Sequence, residues 1–531
     1  MDNRQKIFDC MIAIHIRQSK RRFPMTTHLQ HRAAAFRELA KKISSYNQAL
    51  AVLHWDLRTQ APRKGMDARS EVIGTLSAEQ FKLATSREME EHLQELSEPA
   101  ALESLDEITR KSVLECKKEF DRNKKIPAEE YREFVVLTSK AETVWEEARE
   151  KSDFAMFQPY LEKIVRFQLR FIDYWGTDGK NKYNTLLDLY EPGMTAEQLD
   201  EIFAVLRDRT VKLVDAVTRS PNKPDTSFLK KRFPIPQQEA FTRFVLEKIG
   251  YDFQAGRMDR SVHPFCTSFN PGDVRITTRY DEHDFFNYAL FSSIHEAGHA
   301  LYEQNIDPAL LFTPLCDGTS MGIHESQSRF WENMIGRSLA FWRGLYPELQ
   351  KAFPEQLAGV SLEDFYRAVN EVTPSFIRTD ADEVTYNLHV LIRYEIEKGL
   401  IGGDLRVADL PQIWNEKMKE YLGITPPDDR LGVLQDVHWA GGSFGYFPTY
   451  TLGNVYAAQF AHVMQNEISG FDDLVASGRF APIREWLKEK IHKYGKLKSP
   501  NELVQAITGK GPDASYLITY LESKYRDIYK L

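Results

Sequence analysis

The chain has 531 residues, 42% hydrophobic and 27% charged, with a formal net charge of −8, the balance of an ordinary globular protein long enough for a large core. It lacks the basic surplus of a nucleic-acid binder, and no apolar run approaches the roughly 18 residues of a membrane span. Its four cysteines, Cys10, Cys116, Cys266 and Cys316, form no C-x-x-C pair, which argues against a disulfide framework and for free thiols in a reducing, cytoplasmic setting.

Residues 1–25 are basic, and their short apolar run Met11–Ile14 is cut off by His15 and Arg17. That is too short for a secretory core. The segment is expected to be an N-terminal extension outside the main fold, with 26–531 as a single domain. From Gln30 to about Asp225 apolar residues recur at three- and four-residue spacing, as in 31–51, 105–123 and 131–150, which predicts helices. Pro221 to Asp225 reads as a break. Residues 258–282 differ: Val262–Phe269 and Val274–Tyr280 are rich in β-formers and flank the turn Asn270-Pro271-Gly272-Asp273, which predicts a β-hairpin. After Tyr280 the helical pattern returns, broken by a glycine-rich aromatic loop, Gly441–Tyr450. The expected fold class is mainly α with a small β element.

His295-Glu296-Ala297-Gly298-His299 is H-E-x-x-H in an apolar helical context, Phe285–Tyr302. Residues four apart share a helix face, so both imidazoles can reach one ion. Glu296 falls beside them, where it can act as general base towards an attacking water. A catalytic zinc needs a third protein ligand and an open position. Glu325, 26 residues after His299, is the candidate, on a second predicted helix that continues through Phe330–Ile335. His324 is a rival, but adjacent helix positions point about 100° apart; a supporting or substrate-facing role suits it better. Tyr302 and Asn305 stand where a metzincin would have Gly and His, and Arg329 stands where a thermolysin-like site would have Asp. Zinc is the expected metal, one ion per chain, and cobalt or manganese could use the same donors. The hairpin just before this motif could bind substrate backbone by strand addition.

Further motifs follow in order: His263-Pro264-Phe265, Asp273-Val274-Arg275-Ile276-Thr277, the zinc helix, His324-Glu325-Ser326-Gln327-Ser328-Arg329, Ile377-Arg378-Thr379-Asp380-Ala381-Asp382, Gly432 to Trp439, and Phe444 to Tyr450. In these the chain resembles the carboxypeptidase Taq family of metallocarboxypeptidases. The resemblance runs from about residue 30 to the C-terminus. It implies a large helical metallopeptidase fold with a deep central groove, similar to neurolysin-like oligopeptidases. It also implies hydrolysis of single amino acids from peptide C-termini, and a homodimer.

A carboxypeptidase must recognise a free carboxylate, which suits the planar fork of arginine. Arg378, Arg275 and Arg329 are candidates, and the resemblance favours Arg378; its bland alternative is a buried bridge to Asp380 or Asp382. A donor for the oxyanion is expected among His263, His438 and Tyr446, with His438 ordered by Asp436. Asp273 and Arg275 alternate on a strand and can pair with each other. Gln435 and Asp436 could bind substrate or support their loop. The rival readings are an endo-oligopeptidase or dipeptidase on the same scaffold, told apart by product size, and a non-enzymatic helical binding protein, told apart by metal content.

Overall fold

In the computed structural model the described residues are 26–177 and 179–531; the expected extension 1–25 lies outside them. Helix α1 (Thr27–Thr59) starts where the Thr26 hydroxyl accepts the Leu29 N–H, a side-chain cap for an otherwise orphan donor. Its residues Ala33, Phe36 and Leu39 pack with Met89, Leu93 and Leu96 into a small core of its own. Helices α2 (Met66–Ala84), α3 (Ala128–Lys151) and α4 (Phe154–Trp175) follow. The main core gathers most later helices around one apolar interior. No helix among the described residues is long and apolar enough to cross a membrane.

The β element is larger than the predicted hairpin. β1 (Met258–Arg260) pairs parallel with β3 (Asp273–Thr278), and β2 (Cys266–Asn270) pairs antiparallel with β3, giving the order β1-β3-β2. Residues 262–265 are not strand, because the chain must cross from one side of β3 to the other between β1 and β2. An irregularity between Ser268 and Asn270 shifts the register by one residue before Asn270 pairs with Asp273 at the turn. The Asp273–Arg275 pairing is present: both arginine nitrogens sit 2.8 Å from the carboxylate.

Helix α5 (Ser292–Gln304) lies on this sheet, tied to β3 by Ser293 Oγ and Thr278 Oγ1 at 2.8 Å. It crosses α6 (Met321–Arg329), which is capped by Ser320. Helix α7 (Thr385–Gly402) is buried along most of its length, and α8 (Pro448–Glu467) packs on α6. Two π-helical segments adjoin the crossing: Phe286–Phe291 runs into α5, and Phe330–Ile335 continues α6. Such segments concentrate at functional sites, since they rotate the side chains beyond them relative to an α-helix.

Candidate metal centre

His295, Glu296 and His299 project from α5, and Glu325 from α6. One donor atom each of His295, His299 and Glu325 lies within 4.8 Å of the others. Glu325 Oε2 is 3.6 Å from His295 Nε2 and 3.5 Å from His299 Nε2. Donors about 2.1 Å from a tetrahedral ion stand about 3.4 Å apart, so two imidazoles and a carboxylate at this spacing fit a divalent metal. The crossing is close because Gly298 faces the backbone of α6: a Cβ there would lie 2.6 Å from Ser328 Cα. Gly453 of α8 backs Glu325 in the same way, with a Cβ falling 2.5 Å from Glu325 Cγ.

Each donor is oriented from behind. Glu332 Oε2 is 2.9 Å from His295 Nδ1, the carboxylate–histidine pairing that fixes which nitrogen faces the metal. His299 Nδ1 is 2.6 Å from His324 Nδ1, and His324 Nε2 is 3.0 Å from Glu303 Oε1. The tautomers that leave His299 Nε2 able to bind have His299 Nδ1–H donating to His324, which donates to Glu303. Arg329 Nε donates to Glu325 Oε1 at 2.7 Å, leaving Oε2 towards the histidines, and Arg329 Nη1 reaches Glu332 at 3.2 Å.

The charges follow from this packing. Burial pushes Glu296 up to about 7, which suits a general base. Burial opposes the charge of Glu325, but Arg329, His295 and His299 outweigh it and hold the carboxylate below its usual range. Glu332, also buried, is brought down to about 2 by Arg329 and His295. Burial lowers His299 to about 3, so its lone pair is available at neutral pH.

The other expected residues divide. His324 spends both ring nitrogens on His299 and Glu303, so it backs a metal donor rather than facing substrate. His263 is exposed on the β1–β2 connection, and among the described residues no hydrogen bond or ring contact joins its imidazole to the cluster; its backbone oxygen accepts from Ser261. Tyr446 is within electrostatic reach of Glu325, and burial pushes its phenol up to about 12. Its ring packs edge-on to Tyr190 at 5.1 Å and Tyr450 at 5.2 Å. His438 Nε2 is 3.4 Å from Tyr450 Oη, while its Nδ1 stands 3.9 Å from Asp436, too far for the expected hydrogen bond.

Arg378 does bridge a carboxylate, but neither of the two expected. Asp382 caps α7 through Val384 N and Thr385 N. Arg378 Nη2 instead donates to Asp436 Oδ1 at 2.8 Å, and Nη1 to Tyr386 Oη at 3.1 Å. Asp436 is shared: Arg393 Nε donates to its Oδ2 at 2.6 Å. Gln435 Oε1 accepts from Arg378 N and Arg393 Nη2. Gln435 and Asp436 thus hold two arginines. Tyr386 carries the Arg329 guanidinium 4.1 Å over its ring, linking Arg378 to the metal cluster.

Glu332, Glu303, Tyr386, Tyr450 and Arg393 were not expected from the sequence. A signal existed for two. Glu303 repeats the His295–His299 spacing, and Glu332 stands seven residues after Glu325, both spacings of one helix face.

Residues 35–525 match the model of the carboxypeptidase Taq (M32) metallopeptidases. The chain is 53% identical to carboxypeptidase 1 of Bacillus subtilis, over 93% of this chain and 98% of that protein. It is 43% identical to thermostable carboxypeptidase 1 of Thermus thermophilus, over 90% of this chain and 95% of that one. The solved M32 carboxypeptidase of Deinococcus radiodurans R1 superposes with a TM-score of 0.90 at 39% identity, covering 95% of this chain and 100% of that one.

Proposed function

The chain belongs to the carboxypeptidase Taq (M32) family of metallopeptidases, and from that premise we propose that zinc is held by His295, His299 and Glu325 while peptides lose single residues from a free C-terminus. The protein is a metal-dependent carboxypeptidase. The observation that carries the reading of its site is the convergence of two Nε2 atoms and one carboxylate oxygen, within 4.8 Å of one another, from two crossing helices.

When bound, the ion supplies Lewis acidity, polarising a carbonyl and lowering the pKa of a coordinated water towards about 7. Glu296, buried beside both histidines, takes the proton of the attacking water and returns it to the leaving amine. Tyr446 keeps its phenolic proton at neutral pH and donates to the developing oxyanion. It is preferred over the exposed His263, and over His438 because it is Tyr446, not His438, that lies within electrostatic reach of Glu325. Arg378 takes the terminal carboxylate with N–H groups not engaged by Asp436 and Tyr386, and so sets cleavage one residue from the end. Arg275, closed on Asp273, is less suited to this.

The family resemblance further supports a deep groove like that of neurolysin-type oligopeptidases, a homodimer, and residues 26–531 as one catalytic unit. The scattered thiols support a cytoplasmic setting. Cobalt or manganese would suit the same donors.

The test is to incubate the zinc-loaded protein with an unblocked peptide and its C-terminally amidated twin, following products by mass. Stepwise loss of single residues from the free acid alone is expected. Equal internal cleavage of both peptides would leave the metal site standing and remove the role given to Arg378.

A further inference from the structure

Arg378 and Arg393 share a single carboxylate, and neither is placed as the other is. Arg393 has no exposed surface at all, and Arg378 is 5% exposed. The Arg393 fork is fully directed into the protein: Nε to Asp436, Nη2 to Gln435 Oε1 at 2.7 Å, and Nη1 to the His389 carbonyl at 2.6 Å. Its guanidinium lies 4.6 Å over the Trp414 ring. It cannot reach a substrate without dismantling that packing. Arg378 engages Asp436 through Nε and Nη2 and Tyr386 through Nη1, which leaves some of the five N–H groups of a guanidinium for another acceptor. Tyr450 and Phe447 wall it, 4.9 and 5.6 Å from the guanidinium carbon.

The charge count gives the arrangement its meaning. Within the directly bonded cluster two guanidinium groups and one carboxylate leave one positive charge. Glu397, the next carboxyl within electrostatic reach of Arg393, is pushed up to about 7 by burial and so is only partly charged at neutral pH. The adjacent imidazole of His438 is pushed down to about 4 by burial, and so adds none at neutral pH. With Arg378 alone, Asp436 would close a neutral pair, and a peptide carboxylate would have to compete with a carboxylate already in place and already desolvated. With Arg393 beneath it, Asp436 is neutralised from the buried side.

We propose that Arg393 is a positioning residue for substrate recognition: it neutralises and orients Asp436, so that Arg378 keeps a net positive charge for the C-terminal carboxylate of the peptide. This rests on the reading of Arg378 as the carboxylate anchor. Arg393 itself touches no substrate.

The test compares KM and kcat on an unblocked peptide for the zinc-loaded parent, Arg393→Gln, Asp436→Asn, and the double variant, with Arg378→Lys as reference. In Arg393→Gln, KM should rise about tenfold or more with kcat changed much less, since binding rather than chemistry is impaired. The double variant again leaves one uncompensated cation, and its KM should return to within about threefold of the parent. A KM in Arg393→Gln equal to the parent's, or a double variant no better than the single, overturns the proposal. If Arg393→Gln does not fold, the other two decide. Asp436→Asn should then bind the free acid at least as well as the parent, and a KM raised about tenfold would mean that Asp436 only holds Arg378 in place, ending the proposal. Arg378→Lys separates the two readings. Should it leave KM unchanged, the anchor itself is wrong; should it raise KM while Arg393→Gln does not, only the role of Arg393 falls.

Discussion

Gly298 and Ser328 meet backbone to backbone: a Cβ on Gly298 would stand 2.6 Å from Ser328 Cα and 2.7 Å from the Gln327 carbonyl oxygen. The two helices bearing the metal donors can approach this closely only with glycine at that point. In Gly298→Ala the helices must separate, which costs about 1–3 kcal/mol of stability and moves Glu325 away from the histidines. Zinc affinity should fall by about tenfold or more, measured by competition with a chelator. Parent-like affinity would show that the crossing tolerates the methyl.

Glu296→Gln keeps the shape of the side chain but cannot accept the proton of the attacking water. Turnover should drop about 10²–10⁴-fold with one zinc per chain still bound, as read by metal analysis of the purified variant. Normal turnover would remove the assigned role.

Glu332 lies behind His295 and touches Arg329 as well. In Glu332→Gln the imidazole loses its anionic partner while the metal donors all remain. Zinc should bind about 10–100-fold more weakly, with kcat at saturating metal reduced less than the affinity. An unchanged dissociation constant would mean that Glu332 only balances Arg329 and Arg337, whose Nη2 stands 3.8 Å from Glu332 Oε1.

Tyr446→Phe deletes one hydroxyl from a ring that is otherwise packed against Tyr190 and Tyr450. If that hydroxyl meets the oxyanion, kcat should fall about 10²–10³-fold with little change in KM. A loss of that size in His438→Gln but not in Tyr446→Phe would transfer the role to the imidazole.

Glu397 anchors the loop that carries Tyr446. It accepts from Tyr183 Oη at 2.6 Å, Trp439 Nε1 at 2.8 Å and Gly445 N at 2.9 Å. Burial raises it from 4.5 to about 7. Between those values the folded state holds a proton the unfolded state has lost, so this residue's contribution to stability falls as pH rises from about 4.5 to about 7. The loss in melting temperature on Glu397→Gln should therefore be larger at about pH 5 than at about pH 7.5. A pH-independent difference would contradict the raised value.

The sequence by itself determined the His295–His299 pair with Glu296 beside it and the helical character of the chain, and it pointed to Glu325 as the third member of the cluster. The pair and the helical character are written in local periodicity: His295 and His299 share a face because an α-helix has about 3.6 residues per turn, and that geometry needs no partner, whereas Glu325 joins them only through the crossing of α5 and α6. The Asp273–Arg275 pairing was legible for the same reason, since strand neighbours two apart face one way. The tertiary structure alone decided the contacts between segments. Asp436 meets Arg378 and Arg393 across 58 and 43 positions of chain, so Asp380 and Asp382, close in sequence, were the nearer guess and the wrong one. Asp382 caps a helix instead. Of the supporting and substrate-facing roles open to His324, the crossing of α5 and α6 selects support of His299, because it brings their Nδ1 atoms to 2.6 Å. His263 was left exposed, and β1 joined the sheet through the parallel pairing of Met258 with Ile276. Each of these depends on how separate helices and strands pack, which is settled by apolar burial over the whole core and leaves no trace in the spacing of any one segment.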